Sequence, residues 1–388
     1  MRRRQRRRRR LKGRTIVVSS GNQRPFRAEH VGSFPRPQTL IQARNDYAAG
    51  KIALADLRRA EDTAIAEVVA MQERVGVGAV TDGEFRRTSW RDAPFEHFHG
   101  FSIERYEADF TFRLFDGTTR KAGPVPSVIG KVNRREPMTA DHFEMLKGMT
   151  KGVPKANLPT PSVTHFFRGK TAIDPKVYPD LDRFFDDVAR AYREEIADLA
   201  ARGCKYLQMD EVPLTVICDP NNKEIVRSRG EDPDKVIDAY IDVINAAICD
   251  RPADMTVCLH MCRGNQGHGM ADGGYDAIAE RLFNRLEIDG YFLEYDTPRA
   301  GDFDALRFLP KGKRAAIGII STKHPEAESA DSLKRRIDEA SRSIELDQLC
   351  LCPQCGFSSN VGTGKFALDT VERKLARMVE VADQVWGR

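Results

Sequence analysis

Residues 180–211 read DLDRFFDDVARAYREEIADLAARGCKYLQMDE. Residues 180–203 repeat their apolar side chains at helical spacing and stop at Gly203, as an amphipathic helix does. A short apolar run follows over 204–210 and closes on Asp210 and Glu211. A helix that passes through glycine into a buried strand is half of a βαβ repeat.

The same alternation extends in both directions. The pattern predicts strands at 27–33, 78–83, 156–163, 255–261, 290–295, 314–320 and 348–352, besides 204–210. Amphipathic helices are expected over 55–76, 234–250 and 331–344. Eight strands alternating with helices predict a parallel α/β fold, and the number favours a (β/α)8 TIM barrel. Residues 98–135 break the rhythm. Aromatic and polar residues alternate there around Asp116-Gly117, a β-hairpin signal, so this stretch is expected to be an insertion over the barrel mouth. The expected organisation is a disordered Arg-rich tail, 1–22, and one domain, 23–388.

The formal net charge of +5 comes from one end. Residues 1–14 hold nine Arg and one Lys, and the rest of the chain carries 52 basic against 57 acidic residues. An acidic body disfavours a nucleic-acid binder working through an Arg arm. No apolar run has the length of a membrane span, and no secretory h-region follows the tail. The eight cysteines therefore read as core thiols and metal ligands of a cytoplasmic protein, not as disulfides.

Four metal-ligand side chains stand at the ends of predicted strands. They are His260 and Cys262 in TVCLHMCRGN, Glu294 in GYFLEYDTPR and Cys355 in LCLCPQCGFSS. Two thiolates, an imidazole and a carboxylate suit tetrahedral zinc, and the rim where they fall is where barrel enzymes do chemistry. A second arrangement is a structural zinc knot of Cys350, Cys352 and Cys355. Acids close other strands: Asp82 and Glu84 in TDGEFRR, and Asp210 and Glu211 in MDEVPL. A carboxylate pair at the rim is suited to grip a substrate ammonium. In HVGSFPR, Gly32 permits close backbone approach and Ser33 can bond a carboxylate. His324, after the strand at 314–320, is a candidate general acid. The glycine-rich loop from Arg263 lacks a phosphate-loop pattern.

Taken in order, HVGSFPR, TDGEFRR, MDEVPL, HMCRGN, FLEYD and CPQCGFSS make the chain resemble the catalytic C-terminal domain of cobalamin-independent methionine synthase. The short single-domain bacterial relatives, often labelled methionine synthase II, are the nearer likeness. The resemblance runs from about residue 25 to the end and implies a TIM barrel with Zn2+ at its mouth. It implies His260, Cys262, Glu294 and Cys355 as zinc ligands. The Val31 backbone and the Ser33 hydroxyl would hold the carboxylate of homocysteine, and Glu84 and Asp210 its ammonium. The implied reaction is methyl transfer from a reduced folate, such as 5-methyltetrahydrofolate or its polyglutamate, to the homocysteine thiol. A different thiol, such as coenzyme M with an epoxide, or a non-folate donor, would use the same ligands.

Four departures accompany the likeness. The N-terminal half-barrel of the full-length enzyme has no counterpart. The acid that reads the pterin is replaced by Val216, with Asp219 nearby. The proton-donating His of the family aligns with Lys323, one place before His324, and Phe166 and Phe167 only roughly match its aromatic platform.

Overall fold

The computed structural model describes residues 8–11, 14–17, 24–113, 118–264, 271, 273–364 and 366–387. Asp116-Gly117, most of the tail and the loop at 265–270 lie outside these. Arg8–Leu11 and Arg14–Val17 pair antiparallel.

Helices and strands alternate as the apolar spacing dictates. Leu54–Val75 stops where Gly76 adopts φ 81°, a left-handed cap that costs glycine little. Leu181–Ala201 starts on Asp180, whose carboxylate accepts from Asp182 N, and Pro233–Ile248 starts on Asp232 in the same way. Six strands form one parallel sheet in chain order: β1 (Ala156–Pro159), β2 (Tyr206–Glu211), β3 (Thr256–Met261), β4 (Gly290–Glu294), β5 (Arg314–Ile320) and β6 (Leu349–Pro353). The result is a mixed α/β fold with a parallel sheet.

Backbone bonds continue past both edges. Glu29 N donates to Leu351 O and Leu351 N to Arg27 O, each at 2.9 Å. Gly78 N donates to Ala28 O at 3.2 Å, and Ala79–Val80 pairs in parallel with Val153–Pro154. Lys155 N donates to Val80 O at 2.8 Å, which leads back to β1.

The segment at 27–33, expected as a full strand, makes a single bridge, Ala28 to Leu351. Gly32 turns out of extended geometry at φ 126°. Side-chain amides then take up Val31 O: Asn157 Nδ2 donates to it at 2.8 Å and Gln208 Nε2 at 2.6 Å. A Cβ on Gly32 would meet the Asn157 amide at 2.8 Å, so only glycine lets the two approach.

Alternate residues of the strands, Tyr206, Cys258, Phe292, Ala316, Cys350 and Cys352, pack with Val31 and Ala79 into one inner cluster. Beside it, Lys155 Nζ lies 3.3 Å from Glu29 Oε2 and donates to Gln208 Oε1 at 3.1 Å, while Tyr206 OH donates to Glu29 Oε1 at 2.8 Å. Both charged side chains are fully buried. Removing one partner strands the other charge, so Lys155→Ala is expected to lower unfolding free energy by about 3–5 kcal/mol. Urea denaturation monitored by circular dichroism checks this.

Within residues 98–135, Phe98–Tyr106 pairs antiparallel with Val125–Arg134, and Thr111–Arg113 with Thr119–Lys121. No helix of the described residues is long and apolar enough to cross a membrane.

Candidate metal and substrate site

The C-terminal strand ends converge on a cavity of about 340 Å³. Parallel register sets the level: Asp210 of β2 faces His260 of β3, which faces Phe292 of β4. Residues two apart share a face, so His260 and Cys262 both line the cavity. The same rule separates the acids of β2. Asp210 lines the cavity, whereas Glu211 accepts from Ser162 Oγ at 2.7 Å and from Leu214 N at 2.6 Å.

His260, Cys262 and Cys355 place one donor atom each within 4.8 Å of one another. His260 Nε2 is 3.4 Å from Cys355 Sγ, and the two sulfurs are 3.5 Å apart without a disulfide. All three residues are buried. The Cys355 contact and the imidazole hold the Cys262 thiol well below its ordinary pKa, and the same contact pushes Cys355 well up. The anionic form is thus favoured on Cys262 and the thiol form on Cys355. Burial works against the His260 imidazolium, but the Cys262 thiolate, Asp210 and Glu294 outweigh it and raise the pKa. This donor set fits a soft divalent metal. The knot alternative does not form, because Cys352 Sγ turns into the core and donates to Ala316 O at 3.3 Å.

Glu294 stands outside that trio. Its Oε1 accepts from Lys323 Nζ at 3.0 Å, and its Oε2 from Arg263 N at 3.3 Å. Lys323 Nζ also donates to Asp296 Oδ1 at 3.0 Å. Burial pushes the Glu294 carboxyl up to about 7, against the pull of Lys323. His324, one residue on, is exposed and does not line the cavity.

Val31, Ser33, Glu84 and Asp210 line the cavity beside the trio. Among the described residues, Glu84 is the single non-glycine residue with positive φ, at 61°. Such a backbone costs energy and is retained where the surroundings impose it. Asp82 Oδ1 imposes it here by accepting from Glu84 N at 2.8 Å. Glu84 is 2% exposed, and its Oε2 has no hydrogen-bond partner among the described residues. Burial raises its pKa to about 7, opposed by Arg87 and reinforced by Asp210. Burial pushes Asp210 up as well, against His260 and Arg87. Gly356 is pressed on Ser33, where a Cβ would come within 1.9 Å of Oγ.

Arg87, inside TDGEFRR, and Trp90 were passed over in the sequence. Arg87 is a buried guanidinium that donates to Thr139 Oγ1 at 3.1 Å and supplies positive charge behind the acids. Trp90 is one of only two tryptophans in the chain, a signal open to use, and it lines the cavity with Arg91 and Phe167. Phe166 instead stacks on Phe110 at 4.2 Å in the core. Val216 is fully buried, and Asp219 caps the helix Pro220–Ser228 through Asn221 N, so neither faces the cavity. Arg120, Ala122 and Gly123, from the stretch 98–135, also line it.

The fold and the site define a parallel α/β protein with a thiolate-rich, metal-competent centre at the strand ends, flanked by acids. The family described as "Cobalamin-independent synthase, Catalytic domain" matches residues 26–384, and the chain belongs to it. A Bacillus subtilis relative named uncharacterized protein YxjH is 37% identical over 93% of this chain and 95% of its own. A methionine synthase of Pyrococcus abyssi is 25% identical over 84% of each chain. A solved Listeria monocytogenes protein, described as a candidate vitamin-B12-independent methionine synthase, superposes with a TM-score of 0.73 at 30% identity, covering 94% of this chain and 99% of that one.

Proposed function

We propose that this protein is a zinc-dependent methyltransferase that moves a methyl group onto the thiol of homocysteine, giving methionine. The observation that carries the reading is the meeting of the His260, Cys262 and Cys355 trio with the Glu84 and Asp210 carboxylates in one cavity. The circuit of backbone bonds from Ala28 through β6 supports a (β/α)8 barrel, with the 98–135 insertion over its mouth. Residues 1–22 are read as a tail outside this domain.

The donor atoms suit zinc. His260, Cys262 and Cys355 would hold it, with Glu294 as the fourth ligand. When bound, zinc supplies a Lewis acid that lowers the pKa of a substrate thiol and keeps it nucleophilic near neutral pH. The chain's own residues do the rest. Glu84 Oε2, buried and without a partner among the described residues, accepts from the substrate ammonium, with Asp210 sharing that charge. Ser33 and the Val31 backbone face the carboxylate end. Two carboxylates would repel the sulfonate of a thiol such as coenzyme M, which favours an amino acid. Trp90, Phe167, Arg91 and Arg120 form the wall left for the methyl donor, a methylated folate or another carrier. In the reaction the bond from the donor to methyl breaks with its electron pair staying on the donor, the thiol sulfur forms the S–CH3 bond, and the thiol proton passes by way of solvent to the demethylated donor. Excluding water and fixing donor against acceptor is the role assigned to the insertion.

Zinc-edge X-ray absorption with and without L-homocysteine tests this. A resting shell with two sulfurs should gain a third on addition. A shell that does not change would remove the methionine-forming reading.

A further inference from the structure

We infer that Lys323 is a positioning residue that sets how firmly Glu294 can bind a metal, keeping this carboxylate a weak fourth donor. The inference rests on the zinc reading above. Three observations carry it. Lys323 Nζ is 3.0 Å from Glu294 Oε1 and 3.0 Å from Asp296 Oδ1, and all three side chains are at most 5% exposed. The other Glu294 oxygen accepts from Arg263 N, so both oxygens are already engaged. Finally, the three close donor atoms belong to His260, Cys262 and Cys355, while Glu294 is held to one side by its own partners.

The physics is a competition for one carboxylate. A buried ammonium and a divalent cation both draw on the same charge, and in a poorly screened site each weakens the other's hold. Asp296 anchors the ammonium from the far side, so Lys323 stays in place whether or not Glu294 moves.

A thermodynamic cycle on zinc affinity tests it, using the full chain and competition against a chromogenic chelator. Lys323→Met should bind zinc about tenfold more tightly than the parent. Glu294→Gln should cost little in the parent, but about tenfold in the Lys323→Met background, where the carboxylate is released to the metal. Lys323→Arg, which keeps the charge, should bind as the parent does. Equal costs of Glu294→Gln in both backgrounds, or no tightening in Lys323→Met, would overturn the inference. Should Lys323→Met fail to fold, Asp296→Asn gives the opposite sign. It leaves the ammonium wholly on Glu294 and should loosen zinc by about threefold, and unchanged or tighter binding would refute the inference. A parent chain that takes up no zinc sinks the zinc reading as well. Uptake without coupling sinks this inference alone.

Discussion

Cys355→Ser is expected to yield a folded protein that has lost its metal and its turnover. The serine hydroxyl replaces a soft thiolate ligand with a neutral hard one, and Cys262 loses its sulfur partner 3.5 Å away. Structural zinc sites bind with about 10–16 kcal/mol in all, of which a thiolate carries a quarter or more. Losing one thiolate should therefore cost about 3 kcal/mol, roughly a hundredfold in affinity. Folding should survive because the strands are held by Tyr206, Cys258, Phe292 and their neighbours below the site, not by the trio. Metal analysis after dialysis, circular dichroism and methionine formation are the three readouts. A metal-free Cys355→Ser protein with full activity would end the mechanism.

Much of this site was legible because a polar residue that ends an apolar run has few places to go. In a parallel sheet, the ends of β2, β3 and β4 lie level, so Asp210, His260 and Glu294 could be placed on one rim from their positions alone. The two-residue step from His260 to Cys262 fixed their common face. What stayed hidden depends on tertiary partners. The segment at 27–33 looks like a strand, yet Asn157 and Gln208, distant in sequence, take up its Val31 carbonyl. CPQC does not reveal that Cys352 belongs to the core and Cys355 to the site, because the chain turns between them. Nothing local couples Lys323 to Glu294 and Asp296, which lie on the neighbouring strand and the loop after it. His324 had the better side chain for proton transfer, but the turn after β5 leaves it in solvent. The left-handed backbone of Glu84 is likewise invisible in TDGEFRR, although Gly83 before it hints at a tight turn.

Glu84→Gln should weaken amino-acid binding strongly while leaving zinc in place. Removing one partner of a buried charge pair costs about 2–4 kcal/mol, here roughly 30- to 1000-fold in affinity. L-Methionine is the better probe than homocysteine, since it carries the same ammonium and carboxylate without a thiol proton to complicate the pH profile. In the folded protein Glu84 has its pKa raised from 4.5 to about 7 by burial. The folded state therefore holds a proton there that the unfolded chain releases, and the stability this contributes is full below pH 4.5 and lost as the pH rises towards 7. Ligand binding runs the other way, because an ammonium prefers the ionised carboxylate. Affinity for L-methionine should climb with pH, by about tenfold per unit well below the pKa, and level off above it. Arg87 and Asp210 set where the break falls, the first favouring the anion and the second opposing it. In Glu84→Gln the climb should become shallower, with Asp210 the remaining acid of the pair. Calorimetric titration from pH 5.5 to 8 measures both effects at once. A Gln variant that binds L-methionine as tightly as the parent, with the same pH slope, would take the ammonium clamp away from Glu84 and leave its strained backbone without a purpose.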